Sequence, residues 1–407
     1  MNSPKDLRIE DYTYNLPEER IAAFPLEKRD DAKLLVYKNG QPGTDNFSSL
    51  HKHLPENTQL VINDTRVVNA RLIFQKPTGG KVEIFCLNPD SGEGDVSSAF
   101  EKRGRVRWEG LVGGAKKWKS GPLFLKGESS EGSLELKAEK VANRDGRFIL
   151  DFSWTPENLS FAEVLAKLGN LPLPPYLKRE AEEADLERYQ TVFANREGSV
   201  AAPTASLHFT PEVFQKLDKK KVQRQVFTLH VGAGTFKPVS AEKMADHEMH
   251  FEHFEVSKKF LQNLLENWGS PVVTVGTTSL RTLESFYWLA AKIKKGKLGT
   301  TDLEVNQWDP YELESDFSPE EGLKTLIEYC NGQKLDVLMG KTQLLIAPGY
   351  KFKFANGLIT NFHQPNSTLL LLVAAFVGDD WKKIYDYALQ NDFRFLSYGD
   401  GSLLWRK

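Results

Sequence analysis

Residues 81–87, KVEIFCL, open a run of short segments that decides the fold: RVRWEGLVG at 105–113, GPLFL at 121–125, SLELKAEKVA at 133–142 and GRFILDF at 146–152 follow. Gly-rich or charged turns separate them at roughly the 8 to 12 residue interval of all-β barrels and sandwiches. Helical periodicity is absent. The run predicts a small antiparallel β-barrel domain over residues 71–151.

On either side the texture is α/β. QLVIN at 59–63, QRQVFTLHV at 223–231, PVVTV at 271–275, GLITN at 357–361 and FRFLS at 393–397 read as strands, and a helix start at Asn15 to Glu18 leads into another ending at Tyr37. Helices announce themselves by their ends. Ser160 with Glu163 forms a capping box, Thr210 precedes Pro211, Ser367 precedes an apolar run to Val377, and 279–291 and 381–390 carry helical spacing. The expected fold class is α/β, a Rossmann-like domain built from 1–70 and 152–407 into which the barrel of 71–151 is inserted. With 407 residues the chain is long for one core, which agrees with two domains.

Composition narrows the function. With 53 basic and 55 acidic residues the chain is no polycation, so nucleic-acid binding must rest on local patches. Three present themselves: Lys102-Arg103 with Arg105 and Arg107, Lys116-Lys117 with Lys119, and Lys219-Lys220-Lys221 with Arg224; charge runs are ordinarily solvated faces. Cys86 and Cys330 lie far apart, which argues for a reducing compartment and against a disulfide framework or a cysteine zinc site. The start MNSPKDLRIEDY has no signal-peptide core, and the longest apolar run, 369–377, is half a bilayer span. A cytoplasmic protein without membrane association is expected. An acidic segment of about 296–340 should be repelled by RNA and is expected to face away from any site that binds it.

Polar residues collect where the strands end, which is where open α/β sheets bind ligands. They are Asp64 and Arg66 in NDTR; Thr204 and His208 in VAAPTASLHFT at 200–210; His230, Gly232, Gly234 and Thr235 in HVGAGTF; Asn361 and His363 in NFHQPN; and Tyr398 and Asp400 in SYGD. A histidine before a helix is ordinarily a loop residue bonded to backbone, and His208 stands out only through this company. In GTTSLR, a loop of Gly276, Thr277 and Thr278 precedes the helix at 279–291, whose first turn carries Arg281, a combination suited to a carboxylate or phosphate. HEMHFEHFEV at 247–256 alternates as a strand, placing His250 and Glu252 on one face and His253 on the other; its spacing does not suit zinc.

These stretches, with YNLPEERIAAFPLEKRDDAKLLV, LPLPPYLKR, ERYQTVF, VGTTSLRTLES, PGYKF and LITNFHQPNSTLLLLVAAF, run in order nearly end to end. The whole resembles the S-adenosylmethionine:tRNA ribosyltransferase-isomerases of queuosine synthesis. The resemblance implies an α/β domain with an inserted barrel, S-adenosylmethionine as ribosyl donor, tRNA as partner, and no metal or redox cofactor. The implied reaction moves and isomerises the ribosyl group onto 7-aminomethyl-7-deazaguanine at the wobble position, giving epoxyqueuosine-tRNA, adenine and methionine.

Such chemistry needs a base for the acidic hydrogens beside a sulfonium. We expect His208 and His230 in that role, then His250 paired with Glu252, with Asp64 or Asp400 stabilising the sulfonium or orienting a histidine. Arg281, Thr277 and Thr278 are expected to hold the methionyl carboxylate, Gly232 and Gly234 to let adenosine approach, and Arg66, Thr204, Thr235, Asn361, His363 and Tyr398 to line the substrate. A monomer is expected. The chain departs from the family pattern at Asn69, Asn170 and Ser206, of which the last two are expected nearest a pocket, and in the acidic segment. Two other functions fit the residues: a diverged member that binds tRNA without turnover, and an S-adenosylmethionine-dependent RNA methyltransferase, although a glycine-rich nucleotide loop after a first strand is lacking.

Overall fold

A computed structural model of the chain describes residues 3–76, 79–129, 132–144, 146–232, 239, 241–297 and 303–406. The first strands, β1 (Lys33–Lys38) and β2 (Gln41–Asn46), form a hairpin, and β3 (Gln59–Asn63) follows. A short strand β4 (Thr65–Val67) leads into β5 (Arg71–Gln75) and β6 (Lys81–Pro89), helix α1 (Val96–Glu101), and then β7 (Arg105–Gly113), β8 (Leu123–Ser129), β9 (Gly132–Arg144) and β10 (Arg147–Thr155). Helices α2 (Phe161–Leu168) and α3 (Glu183–Arg188), strand β11 (Arg196–Ser199) and helix α4 (Pro211–Lys219) lead to β12 (Gln223–His230). Next come β13 (Glu252–Ser257), α5 (Lys258–Glu266), β14 (Val272–Val275) and α6 (Thr277–Lys294). The last part holds β15 (Glu304–Val305), α7 (Asp309–Glu312), α8 (Pro319–Gly332), β16 (Val337–Thr342), β17 (Gly357–Asn361), α9 (Thr368–Val377), α10 (Asp380–Gln390) and β18 (Gly401–Trp405).

The fold is mixed α/β. Ten strands form one sheet in the order β15-β16-β13-β12-β3-β14-β17-β18-β1-β2. Its centre, β12-β3-β14-β17, is parallel, while β13 and β18 flank it antiparallel. Successive side chains of a strand point to opposite faces. Leu34, Leu60, Ile359 and Leu403 accordingly enter one core, against Phe214 and Leu217 of α4, while Leu35, Val61, Leu358 and Leu404 enter the other, against α6. Burial on both faces is why these strands read as continuous apolar runs.

Strands β5-β6-β7-β10-β9-β8 form a second, wholly antiparallel sheet whose margins β5 and β8 lie close without pairing, a nearly closed barrel. Its alternating residues Phe74, Ile84, Trp108, Leu136 and Phe152 fill the interior, and Phe161 of α2 plugs it, with ring centroids 5.0 Å from Trp108. Backbone bonds between Arg71 and Asn170, 2.7 and 3.2 Å, tie the barrel's entry to its exit. Asn69 and Asn170 sit at this junction, while Ser206 is fully buried in a 3-10 turn; none of the three lines the cavity described below.

Three local expectations are corrected. The helix start at 15–18 is only a 3-10 turn, Glu18–Arg20. The final strand is β18, not 393–397: Asp392 and Leu396 take positive φ (55° and 69°), which breaks an extended path, although Phe393 and Phe395 are buried as a strand's apolar residues would be. The acidic segment does not simply face away. Leu323, Leu326 and Cys330 of α8 enter the main core, and Lys292 and Asp309 form a largely buried ion pair at 2.9 Å. Apart from Asp309, its carboxylates among the described residues are half-buried or exposed while Leu323, Leu326 and Cys330 face inward, so a net-charge reading missed the packing. Among the described residues, no helix is long and apolar enough to cross a membrane.

Candidate active site at the edge of the large sheet

The C-terminal ends of β12, β3, β14 and β17 lie at one edge of the sheet, and the antiparallel β13 and β18 begin there: His230 faces His253, and Asn361 faces Gly401. A cavity of about 360 Å³ opens beside this edge. It is walled by the 201–205 and 246–250 loops, the first turn of α6 and residues 360–364.

Gly276 ends β14 with φ 94°, a conformation that glycine adopts freely, and turns the chain into α6 without any side-chain cap. The first N–H groups of this 18-residue helix therefore remain available beside the cavity wall formed by Gly276, Thr277 and Thr278. An uncapped helix N-terminus favours an anion. One turn on, Arg281 forms an ion pair with Glu252 at the start of β13, and both side chains are buried. Burial pushes the Arg281 guanidinium down to about 10.

Opposite, Thr204 Oγ1 donates to Asn361 Oδ1 at 2.9 Å, and Asn361 Nδ2 lies 3.4 Å from His208 Nε2. Thr204 and Asn361 line the cavity; His208 stands behind them, its ring 4.9 Å from that of Phe47. Burial, reinforced by the charge of Arg394, pushes His208 down to about 4, so near neutral pH it is an uncharged acceptor for the Asn361 amide. His363 also lines the cavity, bonded at 2.9 Å to Thr360 Oγ1, and burial pushes it down to about 3.

Of the residues expected from the sequence, Thr204, His250, Glu252, Thr277, Thr278, Arg281, Asn361 and His363 meet around this one cavity. The others stand elsewhere. His230 is buried 3.5 Å from Glu255 Oε1, which accepts from Ser97 Oγ of α1 at 3.0 Å, a link between the large sheet and the barrel insertion. Gly198 packs on its ring; a methyl there would sit 2.2 Å from Nδ1. Asp64 accepts from Thr228 at 2.7 Å, and Asp400 accepts from the backbone N–H groups of Lys33 and Arg394 at 3.0 and 2.8 Å. Tyr398 donates to Asp185 at 2.7 Å, and Asp185 is also gripped by Arg179. Arg66 is exposed on β4, and Gly232 follows Val231 without lining the cavity. Gly234 and Thr235 lie outside the described residues.

Sequence reasoning passed over Tyr176, Asp246 and Ser397, which also line the cavity. Tyr176 and Ser397 are 2.5 Å apart and lie within LPLPPYLKR and SYGD, so the pattern flagged their stretches but not these side chains. The 246–250 loop is held from the acidic segment: Gln307 accepts from Met249 N at 2.9 Å and donates to His247 O at 2.7 Å.

An uncapped helix N-terminus, a buried ion pair and neutral or partly exposed imidazoles in one concave site make up an arrangement suited to a charged small molecule with acid–base groups beside it. The profile of the family described as "Queuosine biosynthesis protein" matches residues 9–404, and the chain belongs to that family. It is 37% identical to the S-adenosylmethionine:tRNA ribosyltransferase-isomerase of Halothermothrix orenii over 404 residues, 98% of this chain and 100% of that protein. The protein of the same name from Clostridium kluyveri is also 37% identical, over 405 residues and the same shares. Among solved structures, the S-adenosylmethionine tRNA ribosyltransferase of Thermotoga maritima is 27% identical, covering 97% of this chain and 99% of its own, with a TM-score of 0.45.

Proposed function

We propose that the chain is an S-adenosylmethionine:tRNA ribosyltransferase-isomerase that converts 7-aminomethyl-7-deazaguanine at the tRNA wobble position to epoxyqueuosine, releasing adenine and methionine. The observation that carries this reading is the meeting of the α6 N-terminus, Arg281, Glu252 and His250 in one cavity, in a chain of this family. The methionyl carboxylate sits on the first N–H groups of α6 near Arg281, and Glu252 and Asp246 bring negative charge toward the sulfonium. His250 removes a proton from the ribose 5′ carbon, whose acidity the adjacent sulfonium raises. The resulting ylide expels adenine, which leaves with a proton. The RNA amine then adds to the sugar, the sugar skeleton isomerises, and closure of the epoxide breaks the carbon–sulfur bond and frees methionine. The steps are proton transfers, an elimination, an addition and a displacement, none of which needs an external electron donor or acceptor, so this reading calls on no redox cofactor.

The parallel centre of the sheet, with its site at strand C-terminal ends, supports a Rossmann-like reading of the large domain. We take the protein to be a cytoplasmic monomer. Incubation with S-adenosylmethionine and precursor tRNA is expected to release adenine and methionine, detected by mass spectrometry. S-adenosylhomocysteine would instead mark a methyltransferase, and RNA binding without any product a non-catalytic binder.

Of the three basic patches, the first is partly neutralised, since Lys102 pairs with Glu93 and Arg105 with Asp151. In the third, Arg224 lies 3.4 Å from Asp218. Lys116, Lys117 and Lys119 are exposed on the barrel and form no ion pair among the described residues. Reversing these three charges is expected to weaken tRNA binding and flatten its salt dependence by roughly 0.7 to 0.9 log units for each phosphate that is no longer neutralised. A filter-binding salt titration with an unchanged slope would exclude this patch.

A further inference from the structure

A second, much smaller notch lies behind the cavity and shares Ser397 with it as a wall. Arg29, Arg188 and Arg394 converge there, with Pro25, Leu26 and His208 between them. Arg394 has a carboxylate neighbour, Asp400, at 3.4 Å. Arg29 and Arg188 form no ion pair among the described residues; their guanidinium groups donate to backbone carbonyls, Arg29 to Gln190 O at 2.7 Å and Glu187 O at 2.8 Å, Arg188 to Glu27 O at 2.8 Å and Leu26 O. Carbonyl dipoles orient the forks without neutralising them; the nearest acidic influence on Arg29 is Glu187, outside ion-pair distance. Arg188 Nε is buried with no partner.

The notch holds only about 20 Å³, room for roughly one water-sized atom group. That excludes a whole nucleotide and fits a single phosphate oxygen entering from outside. Immediately before the notch, Phe24 is 51% exposed, an unusual placement for so large an apolar ring. Arg179 lies over its ring at 4.2 Å from the centroid and anchors the segment by donating to Ala23 O at 2.8 Å. A fixed aromatic ring beside guanidinium groups that hold no ion pair is an arrangement by which proteins hold unpaired RNA, through stacking and phosphate contact.

We propose that this notch receives a backbone phosphate of the substrate tRNA and that Phe24 stacks an unpaired base next to it, with Ser397 as the wall between this contact and the cavity. The inference rests on the tRNA-modifying reading above. Recognition here is by backbone and stacking, and therefore tolerant of the base at the stacked position.

The test measures binding of an anticodon stem-loop RNA by fluorescence anisotropy across a salt series, with wild type, F24A and R188Q. F24A is expected to weaken binding roughly tenfold or more, and R188Q to lower the salt slope by about 0.7, while both keep wild-type S-adenosylmethionine affinity. R188K should restore the slope. Wild-type RNA affinity and slope in both folded variants would overturn the proposal, and if R188Q does not fold, F24A decides alone. The two readings fail separately. A wild-type protein that releases no adenine from S-adenosylmethionine and precursor tRNA, while F24A and R188Q still weaken RNA binding, defeats the enzymatic reading alone; full turnover by wild type with an unchanged KM for tRNA in F24A and R188Q defeats the notch alone.

Discussion

Replacing Arg281 by alanine is expected to destabilise the protein by about 3–5 kcal/mol, because it leaves the buried Glu252 carboxylate beside α6 without its cation. The loss should show as a lower urea midpoint with an unchanged m-value. Stability and function separate in the double variant R281M/E252L. Replacing a buried ion pair by apolar residues of similar size is near neutral for stability, so this variant should fold with nearly wild-type stability. It should nonetheless fail to bind S-adenosylmethionine in calorimetry, having lost the arginine beside the α6 N-terminus. A double variant that binds the donor normally would remove Arg281 and Glu252 from the donor site.

Replacing His250 by alanine is expected to lower kcat by about 10²–10⁴-fold, the usual contribution of a positioned general base. His250 is only partly buried and lines the cavity, so stability should change little, within about 0.5 kcal/mol. His208 should respond in a different way. Its value falls from 6.5 unfolded to about 4 folded, so the folded state favours the neutral ring. The stability this contributes is fully present above pH 6.5 and is lost as pH falls through about 4. His208→Gln should therefore flatten the acid side of the stability profile between those limits, read by urea unfolding at pH 7.5 and 4.5. Any effect on turnover would run through Asn361, which His208 positions, and would leave the neutral-pH limb of the rate profile unmoved. Near wild-type activity in His250→Ala would take the base elsewhere in the cavity.

The same contrast shows where sequence reading stops. Asp64, Asp400 and Tyr398 stand at strand ends and are polar, as site residues are, yet each is consumed in holding the chain: Asp400 ties Lys33 to Arg394, and Tyr398 and Arg179 meet on Asp185. Glu284 of α6 is another such case. It accepts from Tyr350 and from the N–H groups of Lys353, Phe354 and Ala355 at 2.7–3.2 Å, which joins LRTLES to PGYKF without touching the cavity. A buried carboxylate surrounded by donors and one facing a substrate are the same letter in a sequence. They differ in which donors arrive from 69 or 213 residues away.

What the sequence by itself determined is local and periodic: the antiparallel run of about 71–151, the apolar strands of the large sheet, the caps at Ser160, Thr210 and Ser367, and a helix over 279–291, which the structure extends back to Thr277. These follow from alternation, spacing and capping within a few residues, which the chain writes in order. Only the tertiary structure decided that Glu252 would meet Arg281, that His208 would stand behind Asn361, and that an acidic segment would hold the 246–250 loop through Gln307. Those outcomes depend on strand order and on which neighbour fills each polar atom's hydrogen bonds, and no spacing along the chain encodes them.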